Sequence, residues 1–272
     1  MGRIAVISDI HSNLEALEAV LADIQKQGIS EIWCLGDIVG YGPDPVACLD
    51  IVIGLKEKGT LTAIVQGNHD WAVVNEPLGF NSHSASPIHW TKKELIKAAG
   101  QPKENKYYQF LKQLPSELDQ DGFILVHGSP SDPLCEYIER KDFFEKRGVV
   151  EVTPNVERIF DCFDYVLLCG HTHYPIIAKR REDGTYALFC NSKLEDEPAL
   201  EPKTIVNAGS VGQPRDGNSK AGYVILDTGD MSVNYRRVEY SPLVTHQKMM
   251  KRMGSIDPET LEFLSDRLLE GR

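Results

Sequence analysis

Ile4-Ala-Val-Ile-Ser-Asp-Ile-His11, Ile32-Trp-Cys-Leu-Gly-Asp37 and Ala63-Ile-Val-Gln-Gly-Asn-His-Asp70 share one pattern: a short apolar run, then a break that carries Asp, Asn or His. Runs this short and this apolar read as buried strands. Between the first two, Leu14, Leu17, Val20, Leu21 and Ile24 recur at helical spacing and stop at Gly28. Pro45 opens a second helical stretch that runs to Leu55. Strand, helix, strand, helix, strand predicts βαβ units and a largely parallel sheet.

The same pattern returns twice further on. Phe123-Ile-Leu-Val126 leads into His127-Gly128, and Tyr165-Val-Leu-Leu168 leads through Cys169 into Gly170-His171-Thr-His173. Helical insertions are expected over about 71–121, with helices at 86–99 and 106–114, and over about 129–161, where 129–147 is proline-rich and charged. The last third is β-like at 176–179, 186–190, 204–206, 223–226 and 232–238, which predicts an antiparallel sheet packed beside the first. The acidic stretch 191–202 reads as a solvated loop. Helices are expected near 243–253 and 261–269, within a C-terminal segment over about 241–272. No internal repeat and no linker-like composition interrupts the chain, so 1–272 is expected to form a single domain.

The 272 residues are 42% hydrophobic and 25% charged, an ordinary globular balance that excludes a disordered or fibrous chain. Six cysteines without a CxxC pair sit mostly in apolar stretches, as reduced thiols do. No run approaches the roughly 20 apolar residues of a membrane span, and the apolar run at the N-terminus is too short for a signal peptide. A cytoplasmic protein is therefore expected. A net charge of −11 disfavours nonspecific nucleic-acid binding, and a phosphate-handling protein of this charge needs metal ions or a few placed arginines.

Ligands of such sheets bind outside the carboxyl ends of the strands, so five strand ends bearing Asp, Asn or His would converge on one patch. Each motif alone is weak, since an Asp after a strand is commonly a helix cap. Five of the eight histidines, His11, His69, His127, His171 and His173, nevertheless follow apolar runs directly. Imidazole, carboxylate and carboxamide without thiolate suit Mn, Fe, Co, Ni or Zn. There are enough ligands for two divalent ions, manganese first among these, with Asp37 able to bridge them.

Asp-x-His, Gly-Asp, Gly-Asn-His-Asp, a later His and Gly-His-x-His, in this order from Asp9 to His173, resemble the five-block signature of the calcineurin-like metallophosphoesterases. The resemblance implies a four-layer α/β/β/α sandwich with two mixed sheets and a dinuclear centre. One ion would take Asp9, His11, Asp37 and His173, and the other Asp37, Asn68, His127 and His171. A bridging hydroxide would attack phosphorus, and His69 would protonate the leaving oxygen. Where the family's protein phosphatases read Gly-Asp-x-Val-Asp-Arg-Gly, this chain reads Gly36-Asp-Ile-Val-Gly-Tyr-Gly42, without the Asp that supports the catalytic histidine or the Arg that grips phosphate. The stretches 36–43, 126–134 and 209–217 instead resemble a prokaryotic branch labelled as phosphodiesterases or diadenosine tetraphosphatase-like proteins.

Three further residues are candidates for substrate contact. Arg215 lies in a Gly- and Pro-rich turn, Tyr41 beside a ligand loop as a stacking ring or a packed turn aromatic, and Asn13 at the start of the first helix, chiefly as its cap. His83, His89 and His246 read as solvated or structural, and Cys34 and Cys169 as strand packing. The expected activity is hydrolysis of phosphodiesters or phosphomonoesters, on a small phosphorylated substrate with nucleotides among the candidates. The alternatives are a dinucleotide polyphosphate hydrolase, a non-catalytic metal-binding scaffold and a metal or nucleotide sensor without turnover.

Overall fold

The computed structural model describes residues 2–77, 80–190, 194 and 199–272. The first half runs β1 (Arg3–Ile7), α1 (Leu14–Lys26), β2 (Glu31–Cys34), α2 (Pro45–Glu57) and β3 (Leu61–Ile64). It continues through α3 (Asn68–Val74), α4 (Ser82–Ala99), α5 (Lys106–Lys112), β4 (Glu117–Gln120) and β5 (Phe123–Val126). Then come β6 (Phe143–Lys146), β7 (Val149–Val152), α6 (Pro154–Asp161) and β8 (Val166–Cys169). The rest is β9 (Ile176–Arg180), β10 (Tyr186–Cys190), β11 (Thr204–Asn207), β12 (Ala221–Asp227), β13 (Ser232–Val238), α7 (Pro242–Arg252) and α8 (Pro258–Glu270). No helix among the described residues is long and apolar enough to cross a membrane.

The strands form two mixed sheets, one ordered β13-β12-β1-β2-β3 and the other β4-β5-β8-β11-β9-β10-β7-β6. Strand side chains alternate between faces, and the burial follows that period of two. Ala5, Ile7, Ile32 and Cys34 face the helical layer of α1, α2, α4 and α5. Ile4, Val6, Trp33 and Leu35 point the other way and meet Leu125, Val166, Leu168 and Val206 of the second sheet. That sheet's outer face, with Leu167, Cys169 and Ile205, packs on Val156, Ile159 and Phe160 of α6. The four layers expected from the sequence are present.

Two expectations need correction. The C-terminal strands do not make a sheet of their own. β12 pairs antiparallel with β1 and brings β13 with it, while β9, β10 and β11 join the second sheet. The reason lies in β12, where Tyr223 and Ile225 face the helices and Val224 and Leu226 face the other sheet. A strand apolar on both faces has to lie in a sheet that is covered on both sides, as this one is between the helices and the second sheet. The expected helical insertion at 129–161 is also partly β. β6 and β7 form a hairpin whose turn residues Arg147 and Gly148 both have positive φ, +54° and +79°. That is the turn which suits the twist of paired strands. Within the expected acidic loop, 191–193 and 195–198 lie outside the described residues.

Candidate active site

The carboxyl ends of β1, β2 and β3 from one sheet, and of β5 and β8 from the other, meet at one place. Asp9, His11, Asp37, Asn68, His69, His127, His171 and His173 are all buried there. The backbone is bent to present them: Asp9, His11, Asp37, His171 and His173 all have positive φ between +48° and +67°. Left-handed non-glycine residues cost of order 1–3 kcal/mol each and persist only where the surroundings enforce them, typically at functional sites. Two close approaches make room. A Cβ on Gly67 would stand 2.1 Å from Asp37 Oδ1, and one on Gly40 would stand 2.4 Å from His69 Nδ1.

Backbone carbonyls set the imidazole tautomers. His11 Nδ1 lies 3.2 Å from the Val39 carbonyl, His173 Nδ1 2.6 Å from that of Gln213, and His127 Nδ1 2.8 Å from that of Leu35. A carbonyl only accepts, so each Nδ1 donates and each Nε2 is turned to the cluster, where it offers a lone pair whenever it carries no proton. Each Nε2 then faces another acceptor. His11 Nε2 is 3.0 Å from His173 Nε2, and His127 Nε2 is 3.1 Å from Asn68 Oδ1 and 3.3 Å from Asp37 Oδ2. Asp9 Oδ1 is buried with no hydrogen bond, 3.1 Å from His173 Nε2. His171 turns its Nε2 to the Cys135 carbonyl at 3.3 Å, which leaves Nδ1 for the cluster.

Acceptors packed against acceptors are unfavourable unless a cation sits among them, so the donor set fits divalent metal. Three groups have ligand atoms close enough to share an ion: Asp9, His11 and His173; His11, Asp37 and His69; and Asp37, His127 and His171. Asp37 occurs in two of them. Its Oδ1 accepts the His69 amide at 2.8 Å, while Oδ2 lies between His11 and His127.

The titration behaviour agrees with a site that demands positive charge. Burial pushes the Asp9 and Asp37 carboxyls up, but the surrounding imidazoles outweigh it and hold both well below the usual range. Burial lowers His127, yet Asp37 and Asp9 outweigh it and raise the imidazole to about 9, so without a cation its Nε2 holds a proton toward Asp37 and Asn68 in the place a metal ion would take. Burial and like charges, chiefly His127 for one and Arg215 for the other, take His171 and His173 down to about 3, so both rings are neutral at pH 7 and can offer a lone pair.

The outer candidates fare differently. Asn13 is the α1 cap: its Oδ1 accepts from Ala16 N and Thr245 Oγ1, and its Nδ2 donates to the Gly212 carbonyl and Tyr240 Oη. With every hydrogen-bonding group engaged, Asn13 has no proton left for a phosphate, which corrects its second reading. Tyr41 is 7% exposed, packed 4.6 Å from the His11 ring and 4.4 Å from the His69 ring, with its hydroxyl on Ser84. That is the packed turn aromatic rather than an open stacking surface. Arg215 sits over the Tyr41 ring at 5.7 Å with its Nε buried and unpartnered. His83 bonds Thr260, His246 bonds Ser265, and His89 is exposed.

Sequence reading passed over Asp70 and Tyr137. Asp70 is fully buried and accepts the amides of Ile38, Val39 and Gly67, tying the loop of Asp37 to that of Asn68. An acid three residues after Gly67 at a helix start was the available signal. Tyr137 is 47% exposed and stacks on His171 at 3.8 Å, and no local pattern marks it. With Tyr41, His69, Phe80, Asn81 and Ser84 it lines a cleft of about 310 Å³ above the cluster.

Comparison with known proteins agrees with this geometry. Residues 3–231 match the calcineurin-like phosphoesterase superfamily domain. The chain is 37% identical to an uncharacterized protein of Methanocaldococcus jannaschii, over 99% of this chain and 98% of that one. A metallophosphoesterase from Sphaerobacter thermophilus superposes with a TM-score of 0.75 at 33% identity, covering 99% of this chain and 100% of that one. A shorter match, 24% identical over 46% of this chain and 44% of the other, is to the symmetrical bis(5'-nucleosyl)-tetraphosphatase of Vibrio vulnificus. The chain thus belongs to the calcineurin-like phosphoesterase superfamily, as a hydrolase of phosphoric ester bonds.

Proposed function

We propose that the chain hydrolyses phosphodiester or phosphomonoester bonds of a small, nucleotide-like substrate at a dinuclear divalent centre, with manganese as the first choice of ion. The observation that carries this reading is the crowding of acceptors around Asp37, with His11 Nε2 against His173 Nε2, Asp9 Oδ1 buried without a partner, and His127 Nε2 against Asn68 and Asp37, a set that only protons or metal ions among them can satisfy. One ion is assigned to Asp9, His11, Asp37 and His173, and the other to Asp37, Asn68, His127 and His171. Bound there, two divalent ions supply a water acidic enough to act as hydroxide and stabilise charge on the transferring phosphoryl group.

The chain's own residues do the remaining work. Carbonyls of Val39, Leu35 and Gln213 fix the imidazole orientations, and such partners typically matter 10–100-fold for metal affinity. Asp70 holds the Asp37 and Asn68 loops in register. His69 lines the cleft and is assigned to protonate the departing oxygen. Its Nδ1 is buried without a partner against Gly40, so no carboxylate supports it. Burial pushes His69 well below 6.5, Asp37 opposes this, and His11, His173 and Arg215 add to it. A phosphate anion in the cleft acts in the same sense as Asp37 and favours the protonated ring. The similarity to a dinucleotide tetraphosphatase supports a nucleotide among the substrates.

The test strips the protein of metal and restores Mn, Ni, Co, Fe(II), Zn and Mg in turn. Bis-p-nitrophenyl phosphate and p-nitrophenyl phosphate are assayed side by side, with Asp37→Asn as control. Metal-dependent turnover that Asp37→Asn lowers at least about 100-fold supports the reading. No turnover with any metal, although two ions bind per chain, would move the protein to a sensing or scaffold role.

A further inference from the structure

Of the four cluster imidazoles that face a backbone carbonyl, three use one that is fixed in the core, since Val39, Leu35 and Gln213 are all buried. The fourth differs. His171 Nε2 donates to the carbonyl of Cys135 at 3.3 Å, and Cys135 is exposed, on the segment 128–137 that follows β5 and His127. The Tyr137 ring stacks on the same imidazole at 3.8 Å, with 22° between the planes. Residues 135 and 137 thus hold His171 at its edge by a hydrogen bond and on its face by a ring.

Glu136, between those two residues, is the anchor. Its Oε1 accepts from Arg158 Nη2 of α6 at 2.6 Å, and its Oε2 accepts from the Ser129 hydroxyl. Ser129 Oγ in turn accepts the amides of Ser131 and Asp132 at 3.1 and 3.2 Å, and Arg158 Nη1 donates to Ser131 Oγ. Asn155 Oδ1, one turn back on α6, takes the other proton of Arg158 Nη2 at 2.6 Å. The segment also closes on itself directly after His127. The Gly128 amide donates to the Pro133 carbonyl at 2.7 Å, and a Cβ on Gly128 would stand 2.8 Å from the Glu136 carbonyl oxygen. One short segment therefore begins at His127, ends against His171 and is pinned to α6 by the Glu136–Arg158 pair. Both imidazoles belong, with Asp37, to one of the groups whose ligand atoms can share an ion.

We infer that Glu136 and Arg158 are positioning residues for one metal ion of the pair, the one assigned to Asp37, Asn68, His127 and His171, and that they act through the Cys135 carbonyl and the Tyr137 ring. The inference rests on the dinuclear reading of the site. Buried carbonyls keep their place because the core does, whereas an exposed segment has to be fixed by contacts of its own. Released from Arg158, the segment would let the His171 ring turn and its two nitrogens exchange roles. A partner that sets a ligating imidazole is typically worth about 10–100-fold in metal affinity. The two ions are thereby made unequal. His11 and His173 of the other ion lean on buried carbonyls, while this one depends on a pair whose Arg158 side chain is 51% exposed.

The experiment titrates manganese into the metal-stripped full chain by calorimetry, with Arg158→Met to release the segment and Arg158→Lys to keep the charge. Arg180→Met is the control, because Arg180 pairs with Asp161 of the same helix at 2.6 Å and does not bond the segment. The wild-type chain should bind two ions. Arg158→Met should weaken one of them about tenfold or more and the other less than about twofold, with Arg158→Lys between and Arg180→Met like wild type. In a His171→Ala background, Arg158→Met should cost the remaining ion nothing further. The stripped variants should melt within about 3 °C of wild type, since an exposed pair adds little to stability. Nitrogen-15 spectra of the stripped protein give a second readout, with His171 as the Nε2–H tautomer in wild type and a mixture in Arg158→Met. Equal weakening of both ions, unchanged affinities, an unchanged tautomer, or a further loss in the His171→Ala background would overturn the inference. Two bound ions without turnover of any phosphate ester would sink the phosphoesterase reading alone, and the titration would still decide the positioning role. A wild-type chain that binds fewer than two ions would overturn both.

Discussion

Gly40→Ala tests how His69 is positioned. Gly40 has φ +99°, and an added Cβ would stand 2.4 Å from His69 Nδ1, 2.9 Å from Cγ and 3.2 Å from Cβ. Ordinary contact begins at 3.4 Å, so Nδ1 would have to retreat by 3.4 − 2.4 = 1.0 Å. The ring has little room to do so, with Tyr41 at 4.4 Å, His11 at 4.9 Å and Phe80 at 5.3 Å. A misplacement of about 1 Å can cost roughly 100-fold when the displaced group takes part in the reaction. The left-handed backbone adds a stability cost of about 1–2 kcal/mol.

The assay compares kcat/KM for a methyl phosphate ester and a p-nitrophenyl ester, with far-UV circular dichroism and bound metal as checks on folding. A leaving nitrophenolate needs little protonation, and a methoxide needs it fully. Gly40→Ala should therefore lose about 100-fold on the methyl ester and far less on the nitrophenyl ester. If the loss runs through His69, the double variant with His69→Ala should be no worse than His69→Ala alone. Equal losses on both esters, or additive losses in the double variant, would refute the proton-donor role.

Two further outcomes follow from the same geometry. Adding divalent metal to the stripped protein should raise its melting temperature, since each ion at 100 times its Kd stabilises by about 2.7 kcal/mol. Asp37→Asn should lose most of that rise, and no shift with any ion would argue against the assigned ligands. Burial pushes the Glu15 carboxyl up, but Lys248 and Thr245 outweigh it and hold the group below 4.5. Its stabilisation is therefore complete above 4.5 and fades as pH falls through the lower folded value. Glu15→Gln should lower stability by about 1 kcal/mol at pH 7, with the gap to wild type closing toward pH 3. A gap that persists at pH 3 would mean that packing, rather than charge, is what Glu15 contributes to the docking of α7.

Much was legible in the chain itself. Apolar runs followed by Asp, Asn or His located β1, β2, β3, β5 and β8 to within two residues, because a buried strand must be apolar along its length and must break where it ends. The same local pattern picked out Asp9, Asp37, Asn68 and the histidines, since strand ends and ligands are neighbours in sequence. Helix α1 was equally plain, with Asn13 before it and Gly28 after.

Other features depend on residues far apart in sequence, and no local pattern encodes them. The five strand ends come from two sheets, a division set by β12 returning to β1 across some 220 residues, as in the pairing of Arg3 with Asp227. The imidazole tautomers follow from carbonyls of Val39, Leu35 and Gln213, each at least 28 residues from the ring it orients. Tyr137 became part of the cleft only by stacking on His171. Sequence alone thus determined the kind of chemistry, because ligand type and strand periodicity are local properties. Tertiary structure decided which groups face the substrate and with what charge, because burial and Coulomb interactions depend on distances in space.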